Sequence, residues 1–169
     1  EFIYYYPSGT TSDDEESLTY YPAKKVNPKK NGVKYTYYEG EFKNLEEVKT
    51  KGVKKDNGTM SYFIVDEAPV EDHYAYEFTS YLNIPETAVY RFFINSDDGA
   101  KLYIDGKLLI DNDGSHSAAR KGQKIALNKG FHEIKIEYFE DYMGQELKVR
   151  ILSRNILEKL INDEMLYIK

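Results

Sequence analysis

The sequence concentrates acidic and polar side chains between residues 95 and 116. Such a cluster can bind a hard cation, exchange protons in acid–base catalysis, or form turns. Calcium takes about six to eight oxygen ligands, which carboxylates supply well. The polar residues of this stretch are Asn95, Ser96, Asp97, Asp98, Gly99, Asp105, Asp111, Asn112, Asp113, Ser115 and His116.

Asp97 and Asp98 are the strongest candidates for a cation site because they are adjacent. In an extended chain with trans peptide bonds, neighbouring side chains point to opposite faces. The two carboxylates reach the same side where the bond between them is cis or the chain bends sharply. On spacing alone, a metal site and an ordinary turn before Gly99 both stay open.

No familiar catalytic motif accompanies this cluster. The residues from Asp111 to Ser115 resemble the start of an EF-hand loop, but position six is His116 and position twelve is Gly122, which rejects that motif. The chain has no cysteine, no G-x-S-x-G, no H-E-x-x-H and no phosphate-binding glycine loop. His132 flanks an alternating strand and reads as structural, whereas His116 lies among acids and is a site candidate. We therefore expect that this chain is not itself an enzyme.

Length and charge limit the number of domains and the classes of partner that the chain can bind. A chain of 169 residues corresponds to about one domain. With 23 basic and 29 acidic residues its formal charge is −6, which weighs against nucleic-acid binding. No apolar run approaches the ~20 residues of a membrane helix, and residues 1–6 lack the pattern of a signal peptide. The 17 tyrosines favour a tyrosine-rich β core over a ligand-stacking surface.

The second half of the sequence alternates between apolar and polar residues, which is typical of strands with one buried face. Asp105-Gly106 predicts a two-residue hairpin turn, and Pro85-Glu86 and Asn128–Gly130 predict chain reversals. These features predict an all-β fold, an antiparallel β-sandwich or barrel. The predicted strands are 74–84, 88–96, 101–105, 131–139 and 147–151.

The first part of the chain is less regular. Residues 1–32 read as a linker or lead-in that contains an acidic run, Asp13–Glu16. Strands are predicted at 33–42 and 59–65, with one or two helical turns at 44–52 and a turn at Asn57-Gly58. The tail 155–169 has helical spacing but fits an extended strap equally well.

Residues 90–116 carry a specific resemblance, together with Tyr38–Phe42 before them and 127–151 after them. A strand runs into Ser96-Asp97-Asp98-Gly99, a hairpin and a glycine-histidine loop follow, and a glycine-aromatic-histidine entry opens the next strand at 130–132. This arrangement resembles the PA-14 domain family, named after the anthrax protective antigen, over about residues 33–152. The tail resembles the strap that follows this domain in bacterial glycosidases of the hexosaminidase type.

The resemblance implies a jelly-roll-like module that does no chemistry, with a domain at 33–154 and a strap of the same domain at 155–169. In sugar-binding adhesins of the family, two adjacent aspartates joined by a cis bond hold Ca²⁺, and these fall on Asp97 and Asp98. A second loop, here 140–145, supplies further ligands; it has no asparagine, and Asp141 is the best substitute. The carbohydrate-binding residues implied at the rim are His116, Tyr142 and Gln145.

The expected function is therefore a calcium-dependent, non-catalytic carbohydrate-binding module of a secreted glycoside hydrolase. The alternative is a structural module that docks on the host's catalytic domain and walls its active site. Both readings imply an extracellular or periplasmic location, a monomeric domain, and a glycan or the host catalytic domain as partner.

Overall fold

A computed structural model describes residues 19–169, and they form two antiparallel sheets packed face to face. The acidic run at 13–16 and the rest of the predicted lead-in before residue 19 lie outside the described residues. The strands are β1 (Lys30–Asn31), β2 (Val33–Glu39), β3 (Val53–Met60), β4 (Tyr74–Ile84), β5 (Ala88–Asp97), β6 (Ala100–Ile104), β7 (Lys107–Asn112), β8 (Ala119–Leu127), β9 (Gly130–Glu140), β10 (Glu146–Ser153), β11 (Ile156–Leu160) and β12 (Leu166–Ile168). One α-helix, α1 (Leu45–Lys51), and a short 3-10 helix at Asp163–Met165 complete the described elements.

The larger sheet has eight strands: six follow the order β1-β12-β4-β9-β6-β7, β2 also pairs with β4, and β3 pairs with β2. The smaller sheet has four, in the order β11-β10-β5-β8. Neither sheet closes on itself, so the sandwich alternative of the predicted fold class is confirmed. The predicted reversals at Pro85-Glu86 and at 128–130 are also confirmed, and each carries the chain from one sheet to the other.

The alternating residues of the second half fill the space between the sheets. On β5, Tyr90, Phe92 and Ile94 are fully buried, while the residues between them face outward and are half-buried. Tyrosines contribute much of this core, as composition predicted: the buried ones are Tyr37, Tyr74, Tyr76, Tyr90 and Tyr138. Each buried ring removes a large apolar area from water, and the hydroxyls of Tyr37, Tyr74, Tyr90 and Tyr138 donate hydrogen bonds to oxygen atoms.

The hairpin between β6 and β7 is confirmed. Asp105 and Gly106 both have positive φ, 50° and 81°, which is the conformation a two-residue turn between twisted strands requires. The side chain of Asp105 is then held by the buried His132, whose Nδ1 lies 2.6 Å from Asp105 Oδ2. His132 is therefore structural, as predicted.

Two local predictions between residues 53 and 65 are wrong. Asn57 and Gly58 lie inside β3, where Asn57 pairs with Thr36 and Gly58 with Tyr35. The strand predicted at 59–65 includes only the last two residues of β3, which ends at Met60. Pairing along the whole length of β2 overrides the turn signal of Asn57-Gly58. Gly58 also leaves room for the Tyr35 ring, which lies 3.1 Å from where a Cβ would stand.

Helix α1 is confirmed at 45–51. Asn44 caps its first turn by accepting a hydrogen bond from the Glu47 N–H at 3.0 Å, and Gly52 ends it. The tail takes the extended alternative: β11 pairs with β10, and β12 pairs with both β4 and β1. Residues 30–31, at the end of the predicted lead-in, thus belong to the larger sheet as β1.

Within residues 19–169, no helix is long and apolar enough to span a bilayer.

Candidate metal and ligand site

The predicted site lies at the edge of the sandwich where β5 ends and β9 ends. Asp97 is the last residue of β5, Asp98 follows it through a cis peptide bond, and Asp141 follows β9 directly. These residues line one open depression, together with His73, Lys43 and the loop at 115–117. The fold therefore brings Asp97, Asp98 and Asp141 to one place, as the resemblance implied.

Asp98 is buried and is held on both sides by the backbone. Its Oδ1 accepts the His116 N–H at 2.8 Å, and its Oδ2 accepts the Asp141 N–H at 2.8 Å. One carboxylate thus ties the β7–β8 loop and the β9–β10 loop together. The orientation of Asp98 is fixed before any ligand arrives.

Asp97 is less buried and faces the depression next to the β9–β10 loop. Burial, followed by the negative charge of Asp98, raises its pKa above the ordinary value. Gly144 lies so close that a Cβ there would stand 3.1 Å from Asp97 Oδ2. Behind the site, the Tyr138 hydroxyl donates to the Asp97 carbonyl oxygen at 2.5 Å.

Asp141 carries an ion pair. Its Oδ2 accepts hydrogen bonds from Lys43 Nζ and from Ser115 Oγ, each at 2.7 Å, and His73 Nδ1 lies 3.8 Å from Oδ1. Burial acts to raise the pKa of Asp141, but the hydrogen bonds from Lys43 and Ser115 outweigh it and lower that pKa. The carboxylate is therefore ionised and partnered within the protein.

The oxygen donors suit a hard cation, although three carboxylates do not converge on one point. In the part of the chain that the structure describes, no group of three His, Cys, Asp or Glu side chains is placed to share an ion. Asp97 and Asp98 supply two adjacent carboxylates whose mutual repulsion a cation would relieve. The donor set thus fits Ca²⁺ on Asp97 and Asp98, with Asp141 available only if Lys43 gives way.

The three predicted carbohydrate-binding residues lie around this depression but differ in their exposure and in their hydrogen bonds. Tyr142 is 63% exposed at its rim, beside the equally prominent Met143. His116 lines the depression, but Nδ1 and Nε2 are within 2.8 Å of the carbonyl oxygens of Ser117 and Asn112, so the ring holds its own loop. Gln145 is exposed just outside, and its Oε1 accepts the Tyr74 hydroxyl at 3.2 Å.

Glu140 is a site-proximal residue that the sequence analysis missed. Its side chain is fully buried between the sheets, and neither carboxylate oxygen has a hydrogen-bond partner among residues 19–169. Burial, followed by the charges of Asp72, Asp98 and Asp97, raises its pKa to about 8. Glu140 is two residues after Tyr138 on β9, so the alternation of the strand predicts that both side chains point inward. An acidic residue at an inward position was the sequence feature that could have identified it.

Lys43 and Ser115 were also missed, because they reach the site from loops that no pattern in the sequence links to Asp141. Lys43 lies just before α1, 98 residues from its partner. A second acid on this side, Asp113, accepts the Leu45 N–H at 2.9 Å and so fastens the start of α1 against the β7–β8 loop. Tertiary packing alone brings these groups together.

Comparison with known proteins gives relatives of two kinds. A protein named anti-sigma-I factor RsgI3, from Acetivibrio thermocellus, is 30% identical over 103 residues, which is 60% of this chain and 16% of that protein. An anti-sigma factor domain-containing protein from Clostridium clariflavum superposes with a TM-score of 0.68 at 23% identity, over 81% of this chain and 47% of its own. A PA14 sugar-binding domain from an RTX adhesin superposes with a TM-score of 0.66 at 16% identity, over 82% and 99%.

The present sequence thus spans a sixth of the curated relative and about half of the anti-sigma structure, but nearly all of the adhesin domain. The structural likenesses show a common fold. The PA14 domain model matches residues 29–164, which includes every described strand except the last. The chain is a member of the PA14 domain family.

Proposed function

We propose that this domain is a non-catalytic, calcium-dependent carbohydrate-binding module whose ligand meets the depression at Asp97, Asp98 and Tyr142. The observation that carries the proposal is the pair of adjacent carboxylates facing an open depression with an exposed aromatic ring at its rim. The fold of a sugar-binding PA14 domain supports it.

Calcium bound at Asp97 and Asp98 would supply coordination positions for vicinal sugar hydroxyls. The chain's own part is to present the two carboxylates in a fixed orientation, which the N–H groups of His116 and Asp141 ensure for Asp98. A site preorganised in this way spends little entropy on ordering when the ligand binds. Shallow exposed sites of this type bind sugars with a dissociation constant of about 1 mM, or ~4 kcal/mol.

Tyr142 and Met143 give the sugar an apolar surface to lie on. Both are more than half exposed, and the loop beneath them is fixed because the Met143 N–H donates to Asp72 Oδ1 at 3.0 Å. An aromatic ring beside a polar site stacks on the C–H face of a pyranose while hydroxyls meet the polar groups. Tyr142 therefore takes the stacking role that a tryptophan would otherwise fill.

A non-catalytic role agrees with how the acids of the depression are used. Asp98 is committed to two backbone donors, and Asp141 to Lys43 and Ser115. Acid–base catalysis needs a carboxyl group free to exchange a proton with the substrate. We place catalysis, where the complete protein has any, outside this domain.

The proposed host is a longer extracytoplasmic protein. The relatives named as anti-sigma factors favour a regulatory protein in which this module senses a glycan outside the cell. A secreted glycoside hydrolase is the second host we consider. A docking role within either host has one specific support: β11 is an edge strand that pairs only with β10 among residues 19–169, and it exposes Leu157 by 71% and Leu160 by 42%.

A glycan array probed with the purified domain, in calcium and in chelator, tests the proposal. We expect calcium-dependent binding to one class of glycan, lost in Asp97→Asn and weakened in Tyr142→Ala. Asp97→Asn keeps the size of the side chain and leaves Asp98 in place, so the fold survives. Lys54→Gln, on the far edge of the larger sheet, is the matched control.

Binding that chelator leaves unchanged would refute the calcium part of the proposal. An array without any bound glycan, together with docking to a host domain that Leu157→Ser abolishes, would favour the structural role instead.

A further inference from the structure

The outward face of the four-stranded sheet carries more basic than acidic side chains. Alternation along β5, β8 and β10 buries one set of side chains and turns the other outward, and the outward set is rich in cations. We call this surface the basic face. Its cations are Arg91, Arg120, Lys124, Lys148 and Arg150, and the acids beside them are Glu146 on β10 and Glu158 on β11.

The register of the strands sets these cations side by side. Arg91 on β5 is directly opposite Lys124 on β8, and Arg150 on β10 is opposite Phe93. Asn95 lies between Arg120 on one side and Lys148 on the other. Directly opposite residues in an antiparallel pair are about 5 Å apart, so the cations form a continuous patch.

Most of this charge is not neutralised within the described chain. Arg120 pairs with Glu158, but Arg91, Lys124, Lys148 and Arg150 have no ion pair within 4.0 Å among residues 19–169. A concentration of unpaired cations is unusual in a chain whose formal charge is −6. Like charges placed together cost stability, and an anionic partner would offset that cost.

Phe93 holds two of the guanidinium groups in position. Its ring lies across Gly122, where a Cβ would come within 2.6 Å of the ring. The Arg120 guanidinium carbon lies 4.1 Å from the ring centroid and that of Arg91 5.8 Å from it. Stacking of this type restrains the arginine forks, which then lose less freedom when they bind an anion.

Two polar atoms on the same face lack partners. Arg91 Nε and Asn95 Oδ1 are buried and form no hydrogen bond within the described residues. Unsatisfied buried polar atoms are costly, and they occur where a ligand or water completes them. A donor and an acceptor just beneath the centre of the basic face are therefore left without a partner in the described residues.

We propose that the basic face binds an anionic polysaccharide whose charge is carried by sugar carboxylates. This goes beyond the proposed function, because it concerns a second surface and does not require calcium or the carboxylates of the depression. Arginine forks match the two oxygens of a carboxylate, and Asn95 can pair with sugar hydroxyls. The flat row of strands suits an extended polymer.

A protein partner is disfavoured by the composition of the face. Cores of protein interfaces are depleted in charge and enriched in apolar and aromatic groups. Here the large apolar side chains on the outward side are the half-covered Phe93, the nearly buried Leu152 and Leu160 at the margin. Nucleic acid is disfavoured by the excess of acidic residues over the chain as a whole.

Isothermal titration of the full chain with polygalacturonate, in chelator, tests this inference. Fully methyl-esterified polygalacturonate is the matched neutral probe. We expect only the acidic polymer to bind, with an affinity that falls as salt is added. In the double variant Lys148→Gln/Arg150→Gln the affinity should fall by about tenfold or more. The double variant Lys34→Gln/Lys54→Gln removes the same amount of positive charge from the larger sheet and should bind normally.

Several results would overturn the inference. Equal binding of the esterified polymer, or equal loss in the larger-sheet control, would show that the basic face is not the site. Equal binding of heparin or poly(glycerol phosphate) would show a general affinity for polyanions. If the chain self-associates and the double variant abolishes this, the basic face binds a second copy of the chain. If the polymer binds only after Asp13–Glu16 are neutralised, the face binds that acidic segment. Either result would overturn the inference.

If polygalacturonate binds in chelator but the glycan array shows no calcium-dependent binding, this inference stands and the proposed function is refuted. If the array shows calcium-dependent binding but polygalacturonate does not bind in chelator, the proposed function stands and this inference is refuted.

Discussion

Replacing Glu140 with glutamine should make the domain more stable at neutral pH. Glu140 is fully buried, its two oxygens have no partner among residues 19–169, and burial followed by four nearby carboxylates raises its pKa to about 8. In the unfolded chain its pKa returns to the ordinary value of 4.5. Between these two values the unfolded state ionises while the folded state stays protonated, so the free energy of unfolding falls as pH rises.

The size of the effect follows from the same two values. At pH 7 the difference from the ordinary value of 4.5 is about 2.5 pH units, and each unit corresponds to about 1.36 kcal/mol. Relaxation around the group reduces the full figure, which leaves about 1–3 kcal/mol. Glutamine keeps the shape and removes the ionisation, so Glu140→Gln should gain this amount at pH 7 and almost nothing at pH 4.

Urea unfolding of both proteins at several pH values between 4 and 9 measures the difference directly. We expect the gap between them to open above pH 4.5 and to level off above pH 8. Glu133→Gln, an exposed acid on the same strand, is the matched control and should follow the wild type. A gap that does not change with pH would contradict a buried, protonated Glu140.

Three further variants probe the site and its support. Lys43→Gln frees the Asp141 carboxylate from its 2.7 Å ion pair and should tighten calcium binding a few-fold by calorimetry; unchanged affinity would show that Asp141 takes no part. Gly99→Ala would place a Cβ 2.4 Å from the Phe139 ring and should cost about 1–3 kcal/mol in urea unfolding, an expectation that a wild-type midpoint would contradict. His132→Ala removes a fully buried ring and should cost about 2–5 kcal/mol, and a loss below 1 kcal/mol would refute its structural role.

Most of the fold could be predicted from the sequence because its second half alternates strictly. A period of two fixes which side chains face the core, and the turn residues at 85–86, 105–106 and 128–130 fix where strands end. Between residues 53 and 65 the same logic failed. Asn57-Gly58 has turn chemistry, but long pairing of β3 with β2 and a tyrosine that covers the glycine outweigh it.

The candidate site could be predicted in part for a similar reason. Asp97 and Asp98 are adjacent in sequence, so their nearness needs no tertiary information. The Lys43–Asp141 pair joins residues 98 positions apart, and the isolation of Glu140 depends on which groups happen to surround it. The basic face likewise emerges only when the register places β5, β8 and β10 side by side.

Calcium titration of the wild-type domain and of Asp97→Asn by calorimetry tests the central claim most directly. The account predicts one binding event in the wild type and at least about tenfold weaker binding once one of the two carboxylates is gone. No heat of binding in the wild type, or the same affinity in both proteins, would contradict it.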